Sequence, residues 1–327
     1  MRVLIIGCGY VGLELGRRLA ASGAEVVGAR RGADPDRVLE AAGGCAVRAD
    51  ITRPADLASL PGRFDAVVSA VSSGGGGLEA YREVYVGGAR NLVSWALDRR
   101  VGRLVWISST SVYGQTDGSW VTEESVTDPV EPTARCLVEA ETVVAEAHRL
   151  AGLPTQVARV AGIYGPGRGH LFGQLVAGTA RLEADDGRWI NMIHRDDVAS
   201  AIEAILLRGE PGRVYDAVDD APVQQGEFLR FLANETGLRM PGPAAGPGPT
   251  RRRGLTNKRV SNRRLRDELG WKPMFPTYRE GYAEVIEAFV SGGRTGGGTA
   301  PSECSRQDRP PEVRSGLEGR FAPRSAP

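Results

Sequence analysis

An apolar run, Val3-Leu4-Ile5-Ile6, opens the chain and stops at Gly7-Cys8-Gly9-Tyr10-Val11-Gly12. A run of branched side chains with no alternation is the mark of a strand buried on both faces of a parallel sheet. Val11, Leu15 and Leu19 then recur every fourth residue, which predicts an amphipathic helix beginning near Tyr10. Strand, glycine turn and helix in this order are the context in which G-x-G-x-x-G reads as a dinucleotide fingerprint. Gly7 permits the tight turn, Gly9 lets the backbone approach a pyrophosphate, and Gly12 allows helix and strand to pack closely. The free N–H groups and positive dipole end near Tyr10 and Val11 would hold the phosphates.

The chain has 327 residues, 41% hydrophobic and 25% charged, the profile of an ordinary globular protein with a sizeable core. A net charge of +1 gives no electrostatic reason to expect a nucleic-acid or membrane partner. The Arg251-Arg252-Arg253 cluster reads as a solvated surface. Cys8, Cys45, Cys136 and Cys304 are widely separated, so neither a zinc site nor a disulfide framework is expected. No stretch is long enough to span a bilayer, and no signal peptide follows Arg2, so the expectation is a reduced, cytoplasmic protein without a metal.

Glu25-Val26-Val27-Gly28-Ala29 predicts the second strand, and its end is where a dinucleotide's adenosine ribose is met. An acid there suits NAD; this chain has Arg30-Arg31 instead, whose guanidinium groups match the extra phosphate of NADP. The expected cofactor is therefore NADP or NAD, with NADP favoured. Asp34-Pro35 has the form of a helix start. Cys45 to Ala49 predicts a third strand followed by Asp50, which would either accept from an adenine amino group or cap the short helix after Pro54. Ala66 to Val71 predicts a fourth strand, whose small residues, Ala70 among them, leave room for a cofactor. The loop from Ser72 through Gly77 is either a linker or a segment that a ligand orders.

Glu79 to Arg99 predicts a helix with Tyr85, Ala89, Leu92 and Ala96 on its apolar face. Leu104-Val105-Trp106-Ile107 predicts a fifth strand running into Ser108-Ser109-Thr110-Ser111-Val112-Tyr113-Gly114. Ligands bind at the carboxyl ends of strands in open α/β sheets, where hydroxyls such as Ser109 polarise a reacting oxygen. The alternative is a set of local Ser/Thr turns. Thr155 to Val160 predicts a sixth strand, Ile163 to Arg168 a glycine-proline turn, and Val214 to Val218 the last strand. Asp197 reads as a first-turn acid of the helix running to about Leu207. A Pro-Gly break spans Pro241 to Pro249, a closing helix Thr277 to Val290, and a disordered tail begins at Ser291.

The glycine turn, Ile107-Ser108-Ser109-Thr110-Ser111-Val112-Tyr113-Gly114, Ala158-Arg159-Val160-Ala161-Gly162-Ile163-Tyr164-Gly165-Pro166-Gly167, Asn191 to Ala199 and Glu268-Leu269-Gly270-Trp271 together resemble the extended and atypical short-chain dehydrogenase/reductases. These are NAD(P)-dependent epimerases and dehydratases, and the resemblance covers about residues 1 to 290. It implies an α/β fold: a doubly wound parallel Rossmann sheet with a small C-terminal substrate subdomain and the active site between them. The dinucleotide-binding part would comprise residues 1–165 and 190–218, the substrate subdomain 166–189 and 219–290, and the tail 291–327.

In the family a strand Ser or Thr works with a Tyr-x-x-x-Lys pair on the next helix. Ser109, four residues before Tyr113, stands at the Ser/Thr position. The helix beginning near Pro132 contains no Tyr and no Lys: one register puts Thr133 and Leu137 at those positions, the other Glu131 and Arg135. Neither restores an acid–base pair. Tyr113 and His194 are the alternative acid–base groups nearby, while His148 and His170 have no suggestive partner. The resemblance thus implies an NAD(P)-dependent oxidoreductase or epimerase acting on a small polar or nucleotide-sugar-like substrate. The other reading is a cofactor-binding regulatory or scaffold protein. Many relatives pair through the two long helices corresponding to Glu79–Arg99 and Pro132–Ala151, so the resemblance makes a homodimer one expectation.

Overall fold

The computed structural model describes residues 1–32, 39–40, 43–182, 187–242 and 256–293. Asp34, Pro35, Arg251 to Arg253, Cys304, and the greater parts of the Pro-Gly break and the tail lie outside the described residues. Seven strands form one parallel sheet: β1 (Arg2–Ile6), β2 (Glu25–Arg30), β3 (Cys45–Arg48), β4 (Ala66–Ser69), β5 (Arg103–Ser109), β6 (Thr155–Val160) and β7 (Val214–Ala217). Their order is β7-β6-β5-β4-β1-β2-β3, so the winding reverses between β1 and β4 and a crevice opens at their carboxyl ends. All four residues of β4 and Val3 to Ile6 of β1 are buried, which is why both lack polar alternation.

The long helices on the sheet are α1 (Tyr10–Ala21), α2 (Gly88–Asp98), α3 (Pro132–Ala151) and α4 (Arg195–Arg208). α1 packs against α4 and α2 against α3, the doubly wound arrangement. Two boundaries differ from expectation in ways that bear on the site. β5 runs on through Ser109 because β6 stays paired with it as far as Ser109 opposite Val160, so Ser108 and Ser109 are strand, and the turn starts at Thr110. The predicted helix from Glu79 to Arg99 is interrupted: an α-turn at Leu78–Tyr81 widens into a π-helical segment, Arg82–Gly87, before α2 begins. At that junction Gly88 lies against Ile51, where an added Cβ would be 3.0 Å from Cγ2.

A second apolar core joins α5 (Gln225–Thr236) and α6 (Tyr278–Gly293) through Phe228, Leu232, Tyr278, Tyr282 and Ile286. Tyr164 stacks on Tyr282 with ring centroids 4.5 Å apart. The boundary between the two cores does not follow the chain segments expected from sequence. Leu265, Leu269 and Trp271 pack into the sheet's core, whereas Tyr164 and Met192 belong to the second one. α6 also continues to Gly293, past the expected start of the tail. Asp197 is in the first turn of α4 as expected, but it is wholly buried and accepts the Met274 and Phe275 amides at 2.6 and 2.9 Å. It ties the approach to α6 onto the sheet domain rather than serving only the helix dipole. No described helix is long and apolar enough to cross a membrane.

Candidate functional site

The turn after β1 is built around Gly7, whose φ is +85° and whose N–H donates to Ala29 O at 2.9 Å. An added Cβ there would lie 2.6 Å from the Ala70 carbonyl carbon and oxygen, so the strand tips of β1 and β4 close on it. At Gly12 the same atom would meet Gly7 O at 3.0 Å and Ile5 Cγ2 at 3.1 Å, the tight helix-on-strand contact expected of that position. Gly9 differs: its nearest neighbour would be Gly7 O at 3.9 Å. It is the N-cap of α1, no side chain caps the helix, and no acid occupies the first turn. The first-turn amides have no partner inside the helix, and this end faces a cleft of about 1660 Å³.

Gly7, Gly9, Tyr10, Val11 and Ala70 line the cleft at the sheet crevice; Gly12 supports the turn from beneath and does not. Arg30, Arg31 and Asp50 line it farther out. Both arginines are exposed, and Arg31 reaches the glycine loop, where an added Cβ on Gly74 would be 3.3 Å from Nη2. Asp50 does not cap the helix Pro54–Ala58, which has Arg53 at its N-cap. Its Oδ1 instead accepts the Thr52 N–H and hydroxyl at 3.0 and 2.9 Å.

Ser108 and Ser109 line the inner cleft. Ser109 Oγ accepts the Ser111 N–H at 3.2 Å, whereas Ser108 Oγ is buried with no hydrogen-bond partner among the described residues. Leu137 of α3 lines the same region and Thr133 is buried, while Arg135 is exposed and donates to Pro129 O at 2.9 Å. Of the two registers, Thr133 and Leu137 are therefore the pair that turns inward, while Glu131 is the N-cap of the helix.

Tyr113 is not at the cleft. It is wholly buried, donates to Asp216 Oδ2 at 2.8 Å and accepts from Arg159 Nη1 at 2.8 Å; Arg159 is paired with Glu141 at 2.7 Å. Burial, reinforced by the Asp216 carboxylate, drives the phenol far above its ordinary range. An acid–base role for Tyr113 is corrected on both counts: it touches no open space and stays protonated. His194 is likewise structural, since its Nδ1 accepts the Asp196 N–H at 3.3 Å and its ring lies 4.0 Å from that of Phe275. Burial lowers its pKa.

The sequence reading missed the far wall and one residue of the near wall. Arg168, His170, Gln174 and Thr179 form the far side, joined to the glycine turn by Tyr10, whose hydroxyl donates to Pro166 O at 3.0 Å. On the near side Tyr85 of the π-helical segment lines the cleft with Ser109 and Leu137, although its spacing marked it as core.

Known proteins share this fold. Protein YeeZ of Escherichia coli K12 is 29% identical over 286 residues, spanning 84% of this chain and 96% of its own. Among solved structures, a Methylobacillus flagellatus protein named for the NAD-dependent epimerase/dehydratases is 34% identical with a TM-score of 0.71, covering 88% of this chain and 98% of that one. The dTDP-glucose 4,6-dehydratase DesIV of Streptomyces venezuelae, solved with NAD bound, is 25% identical with a TM-score of 0.76, covering 89% and 97%. The model of the NAD dependent epimerase/dehydratase family matches residues 3–217, and with the glycine turn, switch-point cleft and Ser109 strand tip in place, the chain belongs to that family.

Proposed function

We propose that the chain is an oxidoreductase or epimerase that binds NADP in preference to NAD and acts on a small polar, nucleotide-sugar-like substrate. One observation carries this reading: a single cleft holds the glycine turn, Arg30 and Arg31 on one stretch and Ser108 and Ser109 on another. The residues suit a dinucleotide. Gly9 leaves open space over an uncapped helix end, and the end of β2 offers two guanidinium groups where an acid would repel a 2′-phosphate. Such a cofactor supplies hydride transfer. The protein's own part is to seat the pyrophosphate on the α1 amides, to hold the 2′-phosphate with Arg30 and Arg31, and to aim a substrate oxygen at Ser109. Arg168, Gln174 and Thr179 on the far wall offer the donors a phosphorylated or hydroxyl-rich substrate needs.

Leu137, apolar in the cleft, favours one other reading: a cofactor-binding regulatory protein that catalyses nothing. Calorimetric titration with NAD, NADP and their reduced forms tests the shared premise, followed by turnover on nucleotide sugars with a redox-active hydroxyl. Arg30→Ala should weaken NADP binding by about tenfold to a hundredfold, the value of a charged hydrogen bond, and leave NAD binding unchanged. Equal losses for both cofactors would remove the arginine argument. Tight cofactor binding with no turnover on any such substrate would favour the regulatory reading.

A further inference from the structure

We propose that Tyr85 is the catalytic acid–base of this cleft, supplied by the π-helical segment in place of the tyrosine that relatives carry on the helix corresponding to α3. The proposal rests on the nicotinamide-cleft reading above. Thr133 and Leu137 turn inward from α3 but bring no group that exchanges a proton near neutrality. The segment Arg82–Gly87 packs directly against α3, and its Tyr85 lines the cleft together with Ser109 and Leu137. A phenolic hydroxyl is thus present in the same region, delivered from the adjacent helix. π-Helical turns insert an extra residue into a helix and recur at functional sites because they re-aim a side chain. Here the insertion falls on the turn that carries Tyr85. The ring packs against that of Tyr81, with centroids 5.2 Å apart and planes tilted by 37°.

The other titratable groups of the cleft lie elsewhere along it. Tyr10 stands at the glycine turn and bridges to the far wall at Pro166 O, and Asp50 follows β3. Arg30, Arg31 and Arg168 cannot serve as bases. Cys8 lies within the glycine turn, and His170 is exposed on the far wall, in contact with bulk water. Tyr85 is 6% exposed, so packing on its neighbours holds the ring at the cleft wall. Charged groups on the elements packed around it include Glu79, Arg82, Glu83 and Arg90 on its own helical stretch and Glu139 and Glu141 on α3; Glu139 pairs with Arg82 at 3.2 Å and with Arg90 at 2.9 Å, and Glu141 pairs with Arg159.

Ser109 would hold the substrate oxygen, and the neutral Tyr85 hydroxyl would donate its proton to that oxygen when the substrate is a carbonyl. The cofactor, when bound in its reduced form, would supply the hydride for carbon, so the products would be the alcohol and a tyrosinate beside the oxidised cofactor. In the opposite direction the same proton would return from the alcohol to the tyrosinate.

The test needs no knowledge of the substrate. The oxidised nicotinamide ring is a cation and the reduced ring is neutral, so only the oxidised form stabilises a neighbouring phenolate. Tyrosinate absorbance is followed against pH for the full chain with NADP and with NADPH, alongside calorimetry of each. With NADP the ionisation of one tyrosine should fall by about one to three pH units, the effect of an opposite charge at close range. NADPH should produce no such fall, and Tyr85→Phe should abolish it while still binding NADP. A transition that survives in Tyr85→Phe, or is the same with both redox forms, overturns the proposal. Binding heat without any transition overturns it alone, whereas absence of binding heat for NAD and NADP in either redox form removes the nicotinamide reading and the proposal together.

Discussion

Gly7 and Gly9 sit two residues apart in the same turn, yet alanine at each should do opposite things. At Gly7 the backbone φ of +85° disfavours any side chain, at about 1–2 kcal/mol. The new Cβ would also stand 2.6 Å from the Ala70 carbonyl and 2.7 Å from Val71 N. These are main-chain atoms at the tip of β4, so relief requires strand movement, at about 1–3 kcal/mol. Gly7→Ala should therefore lose about 2–5 kcal/mol and lower the melting temperature by roughly 4–15 °C. At Gly9 φ is −114° and the nearest atom to a new Cβ is 3.9 Å away, which leaves only the weaker N-cap preference for alanine, at most about 1 kcal/mol. That methyl group instead projects where a pyrophosphate must approach. Thermal denaturation by circular dichroism and calorimetric titration with NADP separate the two effects. Gly9→Ala should melt close to the parent and bind at least about tenfold more weakly, the loss of one good phosphate contact. Equal destabilisation by both substitutions, or undiminished NADP binding by Gly9→Ala, would refute the division of labour between the two glycines.

Two further outcomes concern the buried charges beside β5. Lys258 is 3% exposed, and its ammonium donates to Tyr113 O at 3.0 Å and Thr256 Oγ1 at 2.7 Å; burial, with Arg188 nearby, lowers its pKa from 10.5 to about 8. Between those values the unfolded chain binds the extra proton, so folding stability from this group rises with pH through that window, by about 3 kcal/mol in all. It is lost again as pH falls through 8. Lys258→Met should remove that rise in denaturant unfolding curves, and an unchanged pH slope would count against it. Glu141→Leu strands the Arg159 guanidinium in the core and should cost about 3–5 kcal/mol, whereas Glu141→Leu with Arg159→Met should recover most of the loss. A double variant no more stable than the single one would show that the pair itself, rather than an unpaired charge, sets the cost.

Legibility in the sequence followed range. The glycine turn, the end of β2 at Arg30 and the hydroxyl-rich end of β5 were readable because each depends on neighbours in the chain: an apolar run, a turn residue, a period of four. Tyr113 was ambiguous for the opposite reason. Its partner Asp216 lies 103 positions away and Arg159 lies 46 away, so nothing local distinguished a buried phenol from one in a cleft. Asp197 behaved alike: its place near the helix start was visible, its grip on Met274 and Phe275 was not. Tyr85 shows a subtler limit, since it occupies an apolar face at α-helical spacing, and a π-helical turn changes that spacing only once the chain has folded.

Local periodicity and turn chemistry by themselves determined that this chain builds a parallel sheet with a dinucleotide-type turn at its first strand, because strand, helix and glycine preferences act over a few residues. The tertiary structure alone decided which side chains meet across the cleft. It set Leu137 and Ser109 on one cleft, brought Tyr85 to that cleft from another helix, and turned Tyr113 into the core. Those outcomes depend on packing between α3, the π-helical segment and β5, elements whose separation in sequence hides the volume each must fill when they come together.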